Sequence, residues 1–207
     1  MPSGVWVPVT KVSNHRIGVL GGTFDPIHVG HLAVASEVWH ALNLDRVLLV
    51  PALRQPLKDS EGQATPQQRL EMCRLAVAAD DRIEVSDVDI VRGDVTYTVD
   101  TLTDLAATYP GAELFFIAGA DAISQLSEWR EPERLVTLAR FVAVGRPGHD
   151  APTTAGPHIV VDAPQIGVSS TEVRRRRRTG APVRYLVPDT VAEYIVQHSL
   201  YLGGSHG

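Results

Sequence analysis

The chain has little cysteine, no long apolar run and no excess of basic residues. Its one cysteine, Cys73, excludes an internal disulfide, and its step with Leu70 and Val77 on one helical face predicts a buried thiol. No run approaches the roughly 20 apolar residues that span a bilayer, and the N-terminus lacks the apolar stretch of a signal peptide. We therefore expect a cytoplasmic protein without a membrane partner. The net charge of −5 repels polyanions, so nucleic acid is not an expected partner.

The length and composition are those of a folded protein. With 207 residues, of which 44% are hydrophobic and 21% charged, the chain can bury a full core in one domain. Residues 1–15 show no sustained period and contain two prolines and a glycine, which predicts a flexible lead. We expect one domain over residues 16–202 and a disordered tail over residues 203–207. The sequence leaves a homo-oligomer open.

Short apolar runs alternate with helical patterns along the chain. Strands are predicted at residues 17–21, 46–50, 83–85, 114–118, 141–144 and 158–161, and helices at residues 29–42, 66–79, 99–107, 122–126, 132–138, 170–180 and 189–198. Such alternation predicts parallel strands with right-handed crossovers, hence a doubly wound α/β sheet whose ligand site lies at the carboxyl ends of the strands. The polar stretch 52–64 is predicted to be a long loop.

Two helix starts carry capping signals. Thr65, Pro66 and Gln68 combine an N-cap hydroxyl, a proline at the first helical position and a capping-box glutamine. Ser169 and Glu172 have the same capping-box spacing. Both pairs are therefore expected to form reciprocal caps.

The most informative stretch joins the first predicted strand to the first predicted helix and reads GGTFDPIHVGHL. Gly21 and Gly22 remove side chains where a phosphate would approach the backbone, and the helix start offers unpaired N–H groups and a positive dipole end. His28 and His31 are three residues apart, so both rings lie on one side of the first turn, with Gly30 keeping the space between them clear. Such imidazoles can stabilise charge growing on phosphate oxygens, by roughly 3–4 kcal/mol per donor.

The histidine pair has two other interpretations, a metal site and a solvated helix start. No His-Glu-x-x-His pattern and no third nearby ligand favours zinc, so no metal is expected on protein side chains. The chain also lacks the P-loop, the Gly-x-Gly-x-x-Gly pattern and the Gly-x-Ser-x-Gly elbow. A phosphoryl or nucleotidyl transfer is consistent with the histidine pair and the absence of these motifs, because it depends on positioning and charge rather than on a covalent nucleophile.

Two motifs together resemble a known family. The glycine-histidine stretch, combined with VSSTEVR at residues 168–174, closely resembles the nicotinate-mononucleotide adenylyltransferases of the His-x-x-His nucleotidylyltransferase superfamily. Further similar segments follow in order: YTVDTL at 97–102, GAD at 119–121, WR at 129–130, RPG at 146–148 and YLVP at 185–188. The similarity covers most of the chain.

The resemblance implies a Rossmann-like nucleotidyltransferase fold and one reaction. The 5′-phosphate of nicotinate mononucleotide would attack the α-phosphorus of Mg-ATP in line, giving the deamido-NAD dinucleotide and pyrophosphate, a step of NAD biosynthesis. ATP and nicotinate mononucleotide are the implied partners, and Mg²⁺ enters with ATP.

The same resemblance implies the site residues. His28 and His31 would stabilise the α- and β-phosphates, and with Arg174 they are the catalytic set. The residues assigned to ATP are Gly21, Gly22, Thr23, Phe24, Gly119, Asp121, Ser169, Ser170 and Thr171. The residues assigned to the mononucleotide are Lys58, Thr98, Trp129 and Arg146, of which the threonine and the tryptophan would hold the nicotinate ring.

The serine motif also has an interpretation that does not depend on the resemblance. Ser169, Ser170 and Thr171 expose hydroxyls and unpaired N–H groups at a helix start, which predicts a second phosphate anchor. Arg174 lies one turn beyond Ser170 on the same face and is predicted to reach the leaving pyrophosphate.

One segment departs from the family pattern. The family commonly has Pro-Pro-His-Lys after the second strand, and this chain has Gln55-Pro56-Leu57-Lys58. The histidine is absent, and Lys58 is expected to keep a phosphate role.

Several alternatives stay open. Trp129 is also typical of core packing, Asp121 of a helix cap and Asp25 of a turn before proline. The arginine run 174–178 suggests RNA binding as an alternative function. Consecutive helical residues point in several directions, however, so Arg175, Arg176 and Arg177 are expected at the surface or at an interface. A nucleotide sensor without catalysis and a preference for the amidated mononucleotide are the remaining functional alternatives.

Overall fold

Six strands form one parallel sheet at the centre of the protein. The computed structural model describes residues 15–54, 64–145 and 158–202. Its strands are β1 (Arg16–Gly22), β2 (Arg46–Pro51), β3 (Ile83–Val85), β4 (Glu113–Gly119), β5 (Arg140–Gly145) and β6 (His158–Asp162). They lie in the order β3-β2-β1-β4-β5-β6, and every pair is parallel. This is the doubly wound sheet that the alternation predicts.

Helices cover both faces of the sheet. They are α1 (Val29–Ala41), α2 (Pro66–Val77), α3 (Val88–Arg92), α4 (Thr98–Thr108), α5 (Ala120–Ser124), α6 (Pro132–Leu138), α7 (Ser170–Arg178) and α8 (Asp189–Gln197), with a short 3-10 helix at Leu126–Glu128. The short helix α3 is absent from the sequence-based prediction, because five residues are too few to show a helical period. The other elements are confirmed, with ends that differ by a few residues.

The predicted start of α2 is confirmed in detail. Thr65 Oγ1 accepts a hydrogen bond from the Gln68 N–H at 3.2 Å, and Gln68 Oε1 accepts one from the Thr65 N–H at 2.9 Å. Pro66 occupies the first helical position. The reciprocal cap fixes where the helix begins.

Two apolar cores lie on opposite faces of the sheet. One packs α1, α2, α7 and α8 against it, with Val38, Met72 and Val191 fully buried. The other packs α4, α5 and α6, with Leu102 and Leu135 at its centre. Cys73 lies in the first core as a free thiol, as predicted, and burial raises its pKa to about 12.

The strand order reverses between β1 and β4. The chain winds outward from β1 through β2 to β3, then returns to place β4 on the other side of β1. At such a reversal the loops leave in opposite directions and open a crevice at the carboxyl ends of the strands. Here those ends are Gly22 and Gly119.

All the strands described within residues 16–202 belong to this one sheet. Residues 1–14 and 203–207 lie outside the described part, so the predicted lead and tail stay predictions. Among the described helices, none is both long and apolar enough to cross a membrane.

Candidate active site

The two histidines of the first loop lie side by side. His28 immediately precedes α1, and its backbone N–H donates to Nδ1 of His31 at 3.2 Å. The rings are stacked, with centroids 3.6 Å apart and planes 20° from parallel. A Cβ at Gly30 would lie 3.1 Å from Nδ1 of His28. The glycine therefore avoids a close contact with the His28 ring. The prediction that both rings share one side of the helix start is confirmed.

Burial keeps both rings neutral. It lowers the pKa of His28 to about 4. Burial, together with the neighbouring His28, lowers the pKa of His31 to about 3. At neutral pH each ring therefore carries one proton. In His31 that proton is on Nε2, because Nδ1 accepts a hydrogen bond. The ring thus offers a neutral N–H donor, which is suited to an oxygen that gains negative charge.

The histidine loop, residues 23–28, is fastened to the start of α7. Ser170 Oγ donates a hydrogen bond to the carbonyl oxygen of Pro26 at 2.8 Å. Arg174 Nη1 donates one to the carbonyl oxygen of Asp25 at 2.7 Å. The two motifs that the sequence places far apart are therefore in direct contact.

Residues 21–24 lead from β1 into the histidine loop. Gly21, at the end of β1, is exposed. A Cβ at Gly22 would lie 3.0 Å from the ring of Phe24, which is buried and meets His31 edge-on with centroids 4.9 Å apart. The carbonyl oxygen of Thr23 accepts a hydrogen bond from a buried arginine at 2.6 Å. Of these residues, Phe24 is in direct contact with the histidine pair.

The hydroxyls of the serine motif make protein contacts. Ser169 Oγ accepts from the Glu172 N–H at 3.2 Å, Ser170 Oγ donates to the histidine loop, and Thr171 Oγ1 accepts from Arg174 Nη2 at 3.3 Å. The first N–H groups of a helix have no intrahelical acceptor. Only the Ser170 proton is donated in these bonds, because Ser169 and Thr171 act in them as acceptors, so two hydroxyl protons and the first N–H groups of α7 can donate to an anion.

The predicted reciprocal cap at α7 is wrong in one half. Glu172 does not return to the Ser169 N–H but bonds Arg175 at 2.7 Å and Arg176 at 2.8 Å. The charged partners on the following turn compete successfully for the carboxylate. They also account for part of the arginine run, in which Arg175 is exposed while Arg176 and Arg177 are half-buried.

Asp25 lies in a turn with Pro26, as predicted, but its side chain has partners that a turn does not require. The residue is only 2% exposed, its Oδ1 accepts hydrogen bonds from the Ala64 N–H at 3.0 Å and the Tyr201 hydroxyl at 2.7 Å, and its Oδ2 lies 3.7 Å from Arg174 Nη1. A second guanidinium, that of Arg69, lies near the carboxylate and lowers the cost of burying it. The sequence-based interpretation of Asp25 as a turn former misses this buried network, since its partners are remote in the chain.

A cavity of about 590 Å³ opens at the carboxyl ends of β1 and β4. Its lining brings together Gly21, Gly22, Thr98 and Trp129, four residues assigned to the site from the sequence. The Trp129 ring packs edge-on against two buried phenylalanines, Phe116 and Phe141, with centroids 5.8 and 6.2 Å away. The packing interpretation of this tryptophan is confirmed, and the binding interpretation stays a prediction for a residue that also lines the cavity.

The cavity also contains a buried carboxylate that the sequence analysis missed. Asp89 is 2% exposed and lines the cavity. It accepts hydrogen bonds at 2.6 Å from both Thr101 and Arg92. Burial raises the pKa of its carboxyl. The short helix α3 carries Asp89 and Arg92, and a motif of an acid three residues before an arginine is the only local signal for this pair.

Gly119 and Asp121, which the sequence assigns to ATP, lie where β4 is followed by α5. Gly119 has open space around it, and it is the residue that caps α5. Asp121 is exposed in the first turn of α5, so its interpretation as the cap is wrong. Lys58 and Arg146 fall on segments that the structure does not describe. Within the described ranges, no three His, Cys, Asp or Glu side chains group as a metal site.

The fold and the site together define an α/β protein of the nucleotide-binding type, with a pair of stacked histidines at the start of its first helix. A family model described as cytidylyltransferase-like matches residues 19–176. A relative in Leifsonia xyli subsp. xyli, named "Probable nicotinate-nucleotide adenylyltransferase", is 50% identical over 197 residues, covering 93% of this chain and 97% of the relative. One of the same name in Corynebacterium kroppenstedtii is 48% identical over 199 residues, covering 93% and 94%.

The chain therefore belongs to the cytidylyltransferase-like family and, within it, to the nicotinate-nucleotide adenylyltransferases. A solved structure supports the same fold: the Plasmodium falciparum nicotinic acid mononucleotide adenylyltransferase complexed with NaAD. It superimposes with a TM-score of 0.74 at 19% identity, covering 90% of this chain and 97% of that one.

Proposed function

We propose that the protein transfers the adenylyl group of ATP to nicotinate mononucleotide and releases pyrophosphate. One oxygen of the 5′-phosphate of the mononucleotide forms a bond to the α-phosphorus, and the bond from that phosphorus to the bridging oxygen of the β-phosphate breaks. The observation that carries this proposal is the contact of the serine motif with the histidine loop, through Ser170 and Arg174. Two anion-binding helix starts thereby face one space at the strand order reversal.

The histidine pair supplies the stabilisation of charge. The neutral His31 ring would donate from Nε2 to a phosphate oxygen whose charge grows in the transition state, and His28 holds that ring by its backbone N–H. Arg174 carries a permanent positive charge beside the same loop and would receive the leaving pyrophosphate. The Val29 N–H of α1 donates to the Leu186 carbonyl and the Glu172 N–H of α7 to Ser169 Oγ. The N–H groups of Gly30, Ser170 and Thr171, in the same two first turns, would complete the phosphate site.

The cavity beside β4 is the proposed mononucleotide site. It combines an aromatic ring, Trp129, with the hydroxyl residues Thr96 and Thr98. A flat pyridine ring can stack on the indole while the hydroxyls bond its substituent. Gly21 and Gly22 line the same cavity and so connect it to the histidine loop. Gly119, at the end of β4, and Asp121, in α5, are the proposed contacts to adenosine. Lys58 and Arg146 remain proposed contacts to the mononucleotide, the lysine through a phosphate.

Magnesium enters this proposal as part of the substrate Mg-ATP, where it neutralises phosphate charge. The acidic residue of the histidine loop, Asp25, has protein partners for its Oδ1 and two neighbouring guanidiniums, so it does not suit a resident metal. We also propose a cytoplasmic location, as the sequence predicts.

The test is pyrophosphate release from Mg-ATP with nicotinate mononucleotide, compared side by side with the amidated mononucleotide. The His31→Ala variant is expected to lower kcat by about 10²- to 10³-fold, whereas His40→Ala, an exposed histidine of the same helix, serves as the matched control. Absence of turnover with either mononucleotide would refute the proposal. An equal, modest loss of ATP affinity and turnover in His31→Ala would refute the transition-state role of the ring and favour a nucleotide sensor.

A further inference from the structure

Three carbonyl groups of the histidine loop, those of Thr23, Asp25 and Pro26, are held by side chains from other parts of the chain. Arg69 Nη1 donates to the Thr23 carbonyl at 2.6 Å, and the Asp25 and Pro26 carbonyls accept from Arg174 and Ser170 as described above. The loop therefore has little freedom of its own. The position of the loop therefore depends on the residues that hold the side chains of Arg69, Arg174 and Ser170 in place.

The Asp25 carboxylate lies at the centre of this arrangement. Its Oδ2 is buried and has no hydrogen-bond partner among the residues that the structure describes, although Arg174 Nη1 is 3.7 Å away. Its Oδ1 has two donors, the Ala64 N–H and the Tyr201 hydroxyl. The carboxylate thus faces Arg174 without bonding it, and Arg174 instead bonds the backbone carbonyl of Asp25. The two Oδ1 donors hold the carboxylate in this orientation.

Tyr201 reaches this carboxylate from beyond the last helix. The residue is only 6% exposed, and its hydroxyl lies 2.7 Å from Asp25 Oδ1, across 176 residues of sequence. Burial, then the neighbouring Asp25 charge, raises its pKa well above the ordinary range. The hydroxyl therefore keeps its proton and donates to the carboxylate at every working pH. Such a hydrogen bond to a buried charge is among the stronger ones in proteins.

We propose that Tyr201 is a positioning residue for adenylyl transfer, which holds Asp25 so that Arg174 and the histidine loop keep their working geometry. This inference rests on the proposed function. Without the hydroxyl, Oδ1 retains one donor and the carboxylate is free to rotate toward Arg174. The guanidinium then bonds the carboxylate and leaves the backbone carbonyl that holds the loop. Small displacements of this kind are costly where catalysis depends on preorganised donors.

The first test compares Tyr201→Phe with Tyr194→Phe, a matched change on α8 whose ring stacks on His198 away from the loop. Tyr201→Phe is expected to lower kcat about tenfold, the size of one hydrogen bond to a charged group, with KM for both substrates within about twofold. Tyr194→Phe is expected to leave both constants unchanged. An unchanged kcat in Tyr201→Phe overturns the inference.

A double-mutant cycle separates positioning from stability. If Tyr201 acts through Arg174, its substitution lowers kcat about tenfold in the wild-type background but less than about twofold in Arg174→Lys. A general structural effect lowers kcat by the same factor in both backgrounds, and that result overturns the inference.

A measurement without substrate keeps this inference distinct from the proposed function. The ¹⁵N resonances of the His28 and His31 rings report their tautomers and hydrogen bonds in the free protein. They are expected to shift in Tyr201→Phe and not in Tyr194→Phe. If wild-type protein shows no turnover, the proposed function fails, while shifted resonances still support positioning of the loop and unshifted ones overturn it.

Discussion

The Ser170 hydroxyl donates to the Pro26 carbonyl at 2.8 Å across 144 residues of sequence. This one bond joins the first residue of α7 to the loop that leads into α1. Both elements begin at the carboxyl edge of the sheet, and both present helix N–H groups there. The phosphate site is thus assembled from two ends of the chain, and its geometry depends on the bonds between them.

Replacing Ser170 by Ala is expected to impair turnover more than folding. The change leaves the buried Pro26 carbonyl without its donor, which costs about 1–3 kcal/mol of stability, and it loosens the histidine loop. We expect a fall in kcat of about tenfold or more, measured by pyrophosphate release. Thr179→Ala is the control, because the partners of that hydroxyl in the described part of the chain are carbonyls of its own helix. A Ser170→Ala enzyme with wild-type kcat would show that the tether is dispensable.

Gly30→Ala is expected to lower kcat strongly while lowering the melting temperature only slightly. Alanine is favoured over glycine inside a helix by roughly 0.5–1 kcal/mol, which offsets part of the crowding. The new Cβ, however, would lie 3.1 Å from the His28 ring and 3.2 Å from Val168, so the stacked rings must shift. Melting temperature and kcat measured together test this. Gly167→Ala, where a Cβ meets nothing within 4 Å, is the control, and equal kcat values in the two variants would contradict the prediction.

Stability is expected to fall as the pH drops below about 6.5, the ordinary pKa of histidine. The folded protein keeps His28 and His31 neutral down to about pH 4 and 3, whereas the unfolded chain takes up their protons near pH 6.5. The unfolded state therefore binds more protons in this window, so unfolding becomes easier by about 1.4 kcal/mol per pH unit for each ring.

Urea unfolding at pH 7, 6 and 5 measures this effect. His31→Asn removes one titrating ring but keeps an oxygen that can accept the His28 N–H, so its stability should depend less steeply on pH than that of the wild type. His40→Asn, on the exposed side of α1, should follow the wild-type curve. Parallel curves for all three proteins would show that the buried rings do not control the acid sensitivity.

The local part of the site could be predicted from the sequence, because its determinants are close together in the chain. The histidine spacing and the intervening glycine define one helical turn, and the resulting stack of His28 on His31 needs no remote partner. The alternation of strands and helices likewise limits the topology to a few arrangements. Both predictions rest on period and handedness.

The rest of the site depends on contacts between remote segments. Asp25 looks like a turn residue in the sequence, yet Tyr201 and Arg174 reach it from 176 and 149 residues away. The serine hydroxyls looked free to bind phosphate, and only the packing of α7 on the histidine loop shows that Ser170 is already engaged. No local pattern encodes such distances, so the sequence could not reveal them.

Trp129 is expected to determine affinity for the mononucleotide and not for ATP. One part of its ring packs on Phe116 and Phe141 while the residue lines the cavity, so the indole is held as a rigid platform. Stacking of a flat ring on an aromatic side chain contributes about 1–3 kcal/mol. Trp129→Ala should therefore raise KM for the mononucleotide about 10- to 100-fold and leave KM for ATP within about threefold.

The packing role of Trp129 must be separated from the binding role. Trp129→Phe keeps an aromatic face but less of its area, so its KM for the mononucleotide should fall between those of the wild type and Trp129→Ala. Steady-state kinetics with each substrate varied in turn, together with the melting temperature of each variant, give the comparison. A lower melting temperature with both KM values unchanged would mean that the indole only packs, and the pyridine ring would then need another surface in the cavity.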